Sequence, residues 1–192
     1  LVFGARAGRV AAEYASGVPD TVSLPILRQA EDERRRLEQE FLRKTDGRER
    51  VATIREAMQK AVEDGAGIYR NEKSLRVAAG KLAELQERAQ KLAIDDHSRT
   101  FNTELLSALE LTCMLDVAIT MVHSALSRTE SRGAHQRTDY PARDDAKFLA
   151  HSVVTRSPEG SPRIEYKPVV ITRWPPGERV YGQQPTLIAA KA

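Results

Sequence analysis

The sequence predicts a mainly α protein, a helical bundle followed by a small, partly β C-terminal tail. Apolar residues recur at three- and four-residue steps in successive segments between residues 25 and 92, and the stretch 102–128 is apolar on nearly every side. Residues 163–172 are instead rich in β-branched and aromatic side chains, which suit a pleated surface.

Taken in order, residues 1–16 carry Gly4, Ala5, Ala7, Gly8, Ala11 and Ala12 and predict a small-residue helix that Gly17-Val-Pro-Asp20 ends. The spacing of Gly4 and Gly8 suits close packing and is no phosphate loop. From Pro25 to Lys44, Leu24, Leu27, Ala30, Leu37 and Phe41 fall near one helical face, and Glu31-Asp-Glu-Arg-Arg-Arg36 is expected to be solvated. Val51, Ile54, Met58, Ala61 and Val62 predict a further amphipathic helix, which Gly65-Ala-Gly67 stops. Leu75, Ala78, Ala79, Leu82, Leu85, Ala89 and Leu92 continue the period, with Ser74 as the expected cap and Asp95-Asp-His-Ser98 as the closing turn. The apolar segment 102–128, with Leu105, Leu109, Leu111, Leu115, Ile119 and Val122, is expected at the centre of the bundle. Gly133 and Pro141 give 128–145 loop character, and strands are expected at 148–154 and 163–172 around a turn at 157–162.

The formal charge is only +3, with 30 basic residues interleaved among 27 acidic ones, which gives no stripe for nucleic acid. The longest charge-free stretch of the apolar centre, 117–127, is shorter than the ~20 residues of a membrane helix, so other subunits would have to hold the protein at a membrane. One cysteine, Cys113, builds neither a disulfide framework nor a cysteine-ligated cluster and suggests a reducing, intracellular setting. Leu1-Val-Phe-Gly-Ala-Arg-Ala-Gly8 opens in mid-pattern without a cap or signal layout, so the chain is expected to be truncated at this end.

No Gly-x-Gly-x-x-Gly follows a predicted strand, so no dinucleotide cradle is expected. His97, His123, His135 and His151 lack metal-ligand spacing on a common face, and nucleophile motifs are missing. The densest polar constellation is Arg128, Glu130, Arg132, His135, Arg137, Asp139, Arg143, Asp144 and Asp145. Arginine forks suit a dicarboxylate, but the near balance of signs favours an internally neutralised network that pins a loop against a neighbouring domain. From the residues alone no catalytic, cofactor-binding or metal-binding position is assigned.

The segment Glu130-Ser-Arg-Gly-Ala-His-Gln-Arg-Thr-Asp-Tyr-Pro-Ala-Arg-Asp-Asp145, with Phe101-Asn-Thr-Glu-Leu-Leu106 before it and Pro175-Pro-Gly-Glu-Arg-Val-Tyr-Gly182 after it, resembles the C-terminal part of the flavoprotein subunit of fumarate reductase and succinate dehydrogenase. The resemblance runs from Leu1-Val-Phe-Gly4 through Arg55-Glu-Ala-Met58 and Gly67-Ile-Tyr-Arg70 to the tail, with 17–50 the least distinctive part. L-Aspartate oxidase shares the helical region and an Arg-Gly-His-like segment but looks different beyond it. Tyr166-Lys-Pro-Val-Val-Ile-Thr172, the final Arg-Val-Tyr-Gly and Lys81-Leu-Ala-Glu-Leu-Gln-Glu-Arg88 look closest to fumarate reductase, with succinate dehydrogenase as the alternative.

The resemblance implies an FAD-dependent oxidoreductase that interconverts fumarate and succinate by hydride transfer at flavin N5. It places the FAD, its histidine linkage and the proton-donating arginine upstream of Leu1. It also implies an iron-sulfur subunit and membrane-anchor subunits as partners, and a peripheral position on the cytoplasmic face of the plasma membrane. On this reading residues 1–16 are the end of the FAD-binding domain, 17–128 the helical bundle, and 129–192 the charged loop with a small α/β tail. The competing class is a free-standing helical interaction module that offers 25–44 to a partner.

Overall fold

A computed structural model describes residues 2–19, 23–157 and 161–177. Leu1, Asp20, the 158–160 part of the expected turn and the Arg-Val-Tyr-Gly motif at 179–182 lie outside the described residues. The helices are α1 (Val2–Ser16), α2 (Leu24–Leu37), α3 (Val51–Ala66), α4 (Glu72–Ala89), α5 (Thr103–Ser127) and the single turn α6 (Asp145–Phe148). The strands are β1 (Tyr69–Arg70), β2 (Gln136–Arg137), β3 (Ala150–Thr155) and β4 (Arg163–Pro168). Two compact units divide the chain, residues 1–60 with 81–117 and residues 61–80 with 118–192.

In the first unit, α1 buries no residue, and α2 buries none either. The face expected from Leu24 and Leu27 is exposed, and the apolar run reaches the core at its end, through Leu37 and the buried Phe41. Arg34 pairs with Glu31 and Glu38, and Arg36 with Glu33 and Glu40, all at three- or four-residue spacing, so the charged face is zipped along its own helix. After Leu37 the helix widens into a π-turn at Glu38–Leu42, closed by the Arg43 amide on the Glu38 carbonyl at 2.8 Å. This turn delivers Phe41 to a cluster with Ile94 and Ala108, against which Leu37, Leu42, Val51, Leu105 and Leu109 pack. The loop after α4 is fastened by Glu104, whose carboxylate accepts the amides of Asp95 and Asp96 at 2.7 and 2.9 Å. Asn102 caps α5 by accepting the Leu105 amide at 2.7 Å. Phe101, just before it, takes a left-handed φ of 53° and lies almost fully exposed.

In the second unit, the end of α3 meets the start of α4 at Gly65. A Cβ added there would sit 2.8 Å from the Ser74 carbonyl and against the Ala78 methyl, so the approach requires glycine. Ser74 does not cap α4 as expected. The helix begins two residues earlier, Asn71 Oδ1 accepts the Ser74 amide at 2.9 Å, and the Ser74 hydroxyl accepts the Asn71 amide at 3.3 Å in return. β1 and β2 form a parallel two-residue ladder that pairs Tyr69 with Gln136 and Arg70 with Arg137. β3 and β4 form an antiparallel hairpin. Phe148, expected in a strand, ends α6 instead, and the second strand stops at Pro168 rather than Thr172. Phe148 is buried edge-on to the Tyr166 ring at 5.5 Å.

The apolar-all-round pattern of α5 does not become burial all round. Ala108, Leu111, Leu115, Ala118, Ile119, Val122 and Ala125 are buried at three- and four-residue steps, whereas Leu106, Val117 and Met121 are exposed. By length and composition α5 also qualifies as a membrane span, contrary to the expectation drawn from its uncharged stretch. Its buried stripe, and the Asp116 carboxylate on the other side bonded to Gln86 at 3.2 Å, are features of a helix packed against protein.

Candidate functional site

The 128–145 segment starts where α5 ends, and its first task is to terminate that helix. Arg137 does so by reaching back to the carbonyls of Ala125 at 2.9 Å, Leu126 at 3.3 Å and Arg128 at 3.4 Å, the groups that a helix C-terminus leaves without partners. Its guanidinium, with the residue only 1% exposed, grips both Asp139 oxygens at 2.7 and 2.8 Å and lies 4.9 Å over the Tyr140 ring. Asp139 Oδ2 also accepts the Glu72 amide at 2.8 Å. One ion pair therefore sets a cation at the negative end of α5 and a carboxylate at the positive end of α4. Arg137 first, and then the Glu72 amide, hold the Asp139 carboxyl far below the usual carboxylate range against the effect of burial.

Glu130 has no exposed surface and is the second hub. Oε1 accepts from Arg128 at 2.6 Å and from Arg132 at 2.8 Å, while Oε2 accepts from Arg132 at 3.0 Å and from the Asp144 amide at 2.8 Å. Burial alone would raise this carboxyl, but the donors of Arg132, Asp144 and Arg128 outweigh it and hold the group below its ordinary value. Arg128 also lies over the Phe148 and Tyr166 rings at 5.3 and 5.7 Å and donates to the Phe148 and Ala150 carbonyls. Arg132 continues to Asp145 at 2.7 Å, Arg143 pairs with the same carboxylate at 2.9 Å, and Asp144 accepts the Lys147 amide at 3.0 Å as the cap of α6. Each arginine of the predicted constellation thus meets a carboxylate of that constellation.

His135 joins the network through neither a carboxylate nor a metal. Its Nδ1 lies 3.1 Å from Arg70 Nη1, and its Nε2 lies 3.2 Å from the Arg128 carbonyl. A guanidinium only donates and a carbonyl only accepts, so Nδ1 is the acceptor and Nε2 carries the hydrogen. The imidazole is neutral, and burial, with the charges of Arg70, Arg137 and Arg128, pushes its pKa below 6.5. Arg70 is the member that composition and spacing do not single out. It sits outside the charge-dense segment and arrives through the β1–β2 ladder, donating to the Gly67 carbonyl at 2.8 Å as well.

Among the described residues no three of His, Cys, Asp and Glu converge as metal ligands. Parallel pairing among them amounts to β1–β2 and a single Glu49–Leu92 bridge, with no strand–glycine loop–helix unit, so they do not fit the phosphates of a dinucleotide.

A family model described as the fumarate reductase flavoprotein C-terminus matches residues 55–181. The fumarate reductase flavoprotein subunit of Mycobacterium tuberculosis is 55% identical over 186 residues, covering 95% of this chain and 32% of that protein. The succinate dehydrogenase flavoprotein subunit of Rickettsia felis is 35% identical, covering 94% of this chain and 31% of that protein. Among solved structures, an E. coli quinol fumarate reductase FrdA variant superposes with a TM-score of 0.86 at 44% identity, covering 96% of this chain and 32% of that one. The chain therefore spans about a third of the length of these relatives.

Proposed function

The chain belongs to the fumarate reductase flavoprotein C-terminal family, and from that membership we propose that it is the C-terminal part of a fumarate reductase flavoprotein subunit, an oxidoreductase that interconverts fumarate and succinate. The observation that carries this reading is 55% identity sustained over 95% of the chain with a fumarate reductase subunit. The lower identity to the named succinate dehydrogenase subunit, 35%, favours the first assignment within the pair.

FAD, on this proposal, is held by the region upstream of residue 1, because the described residues do not fit a dinucleotide. Residues 1–16 are then the end of the flavin-binding domain, 17–128 the helical bundle and 129–192 the charged loop and tail. The 128–145 segment fixes the helical region against that domain and moves no proton. Its support is the closed pairing at Glu130, Asp139 and Asp145, which gives each of Arg128, Arg132, Arg137 and Arg143 a carboxylate partner within the segment. The complete assembly would add an iron-sulfur subunit and membrane-anchor subunits and lie on the cytoplasmic face of the plasma membrane.

The test compares the purified chain with a version extended by its upstream coding sequence, assaying flavin absorbance and fumarate-dependent oxidation of a reduced dye. Flavin and turnover in the extended protein only are the expected result. Flavin with turnover in the 192-residue chain alone would overturn the assignment of the chemistry to the upstream region, and failure of both proteins would overturn the enzyme reading.

A further inference from the structure

The β1–β2 ladder is two residues long and cannot be held by its backbone pairing alone. It is fastened by the Thr138 amide and hydroxyl on the Arg70 carbonyl at 2.8 and 3.3 Å, by the Glu72 amide on Asp139 beside it, and by the Arg70 side chain, which His135 receives at 3.1 Å. The charged side chains that act on that imidazole are cationic. Arg70 comes from β1, Arg128 from the end of α5 and Arg137 from β2, while Arg132 exchanges both backbone hydrogen bonds with His135 at 2.9 Å and turns its guanidinium to Glu130 and Asp145. The nearby carboxylates are already engaged, Glu130 by Arg128 and Arg132, and Asp139 by Arg137 and the Glu72 amide. The Arg128 carbonyl on Nε2 favours an imidazolium, and burial together with the charges of Arg70, Arg137 and Arg128 outweighs it.

We propose that His135 is an acid-sensitive latch, which receives Arg70 Nη1 across the β1–β2 seam while neutral and loses that contact on protonation, so that the seam weakens. Protonation at Nδ1 converts the acceptor of Arg70 Nη1 into a second donor and adds a positive charge beside Arg70, Arg137 and Arg128, so the imidazolium and that end of the guanidinium must part. The direction agrees with linkage. A histidine whose folded-state pKa lies below 6.5 contributes stability that is fully present above 6.5 and is lost as pH falls from 6.5 through the folded value. The consequence is local, since the Glu130 and Asp139 pairs persist until much lower pH. The seam joins the turn between α3 and α4 to the 128–145 loop, so acid would loosen the ladder while the Asp139 carboxylate keeps its bond to the Glu72 amide and the loop keeps its own ion pairs. This inference rests on the seam geometry alone and holds whichever reaction the full protein performs.

Hydrogen exchange of the Thr138 amide reads the seam directly. Between about pH 7 and about pH 5, its protection in the wild-type chain should fall about fivefold or more after correction for intrinsic exchange. In His135→Gln, which cannot titrate, it should stay level over the same interval. Wild-type protection that is flat to that pH, or a parallel fall in His135→Gln, would overturn the latch, the second by assigning the effect to other groups. Should the variant not fold, 15N resonances of the wild-type imidazole decide the matter. A hydrogen on Nε2, an unprotonated Nδ1 and titration below 6.5 are expected, and an Nδ1–H tautomer or titration at or above 6.5 would sink the proposal.

Discussion

Asp139 receives two nitrogens of the Arg137 guanidinium at 2.7 and 2.8 Å, and this pair closes the C-terminus of α5 while its carboxylate caps the start of α4. Asp139→Ala would leave a guanidinium that is 1% exposed without its counter-ion. Breaking a buried pair from one side costs about 3 to 5 kcal/mol, and urea unfolding of the variant should show a loss of that order. A change below about 1 kcal/mol would mean that solvent replaces Asp139 without penalty.

Arg132→Ala tests the role of the Glu130 hub. Glu130 would keep Arg128 and the Asp144 amide but lose two of its donors, for an expected cost of about 1 to 3 kcal/mol. In the upstream-extended protein, melting temperature and flavin content should fall together. Normal stability and flavin content with collapsed turnover would instead show Arg132 acting on the reaction.

The pH dependence of global stability follows from the carboxylates. Glu130 and Asp139 both have folded-state values below 4.5 and 3.8, so their contribution is fully present above those values and is lost as pH falls through the lower folded ones. Acid unfolding of Asp139→Asn should therefore be less steep below about pH 4 than that of the wild type. Equal slopes would remove Asp139 from the account.

The burial stripe of α5 separates leucines that the sequence treats alike. Leu115→Ala, at a position 1% exposed, should cost about 2 to 5 kcal/mol, and the half-buried Leu109→Ala less. Leu106→Ala, at 55% exposure, should stay within about 0.5 kcal/mol. Chemical denaturation of the three variants checks the order.

Gly65→Ala should cost about 1 to 3 kcal/mol, because the added methyl meets the Ser74 carbonyl and the Ala78 side chain. Pairing it with Ala78→Gly should recover part of the loss, which would locate the clash in that contact.

The helices were legible because burial repeats with their period. Ile54 and Met58 in α3, and Leu75, Ala78, Leu82 and Leu85 in α4, are buried where the spacing puts them. The start of α4 was misread because Asn71 and Ser74 are both good caps and spacing cannot say which amide each receives. The α5 pattern misled because apolar residues beyond the core stripe stay exposed among the described residues. At the site, the mixture of signs pointed to internal neutralisation, and Glu130 and Asp139 realise it. Which arginine meets which carboxylate, and that Arg70 enters at all, depend on a two-residue ladder between segments more than sixty positions apart, for which local sequence carries no signal.

The π-turn at Glu38–Leu42 has a genetic aspect. Its bond from Arg43 to Glu38 spans one residue more than an α-helical bond would. Removing one residue there would restore ordinary helix and rotate everything beyond it by roughly 100°, turning Phe41 away from Ile94 and Ala108. Along this helix a frame-preserving deletion would be harsher than most substitutions. The exposed ion pairs of 31–36 should tolerate exchange, and the register of the π-turn should not.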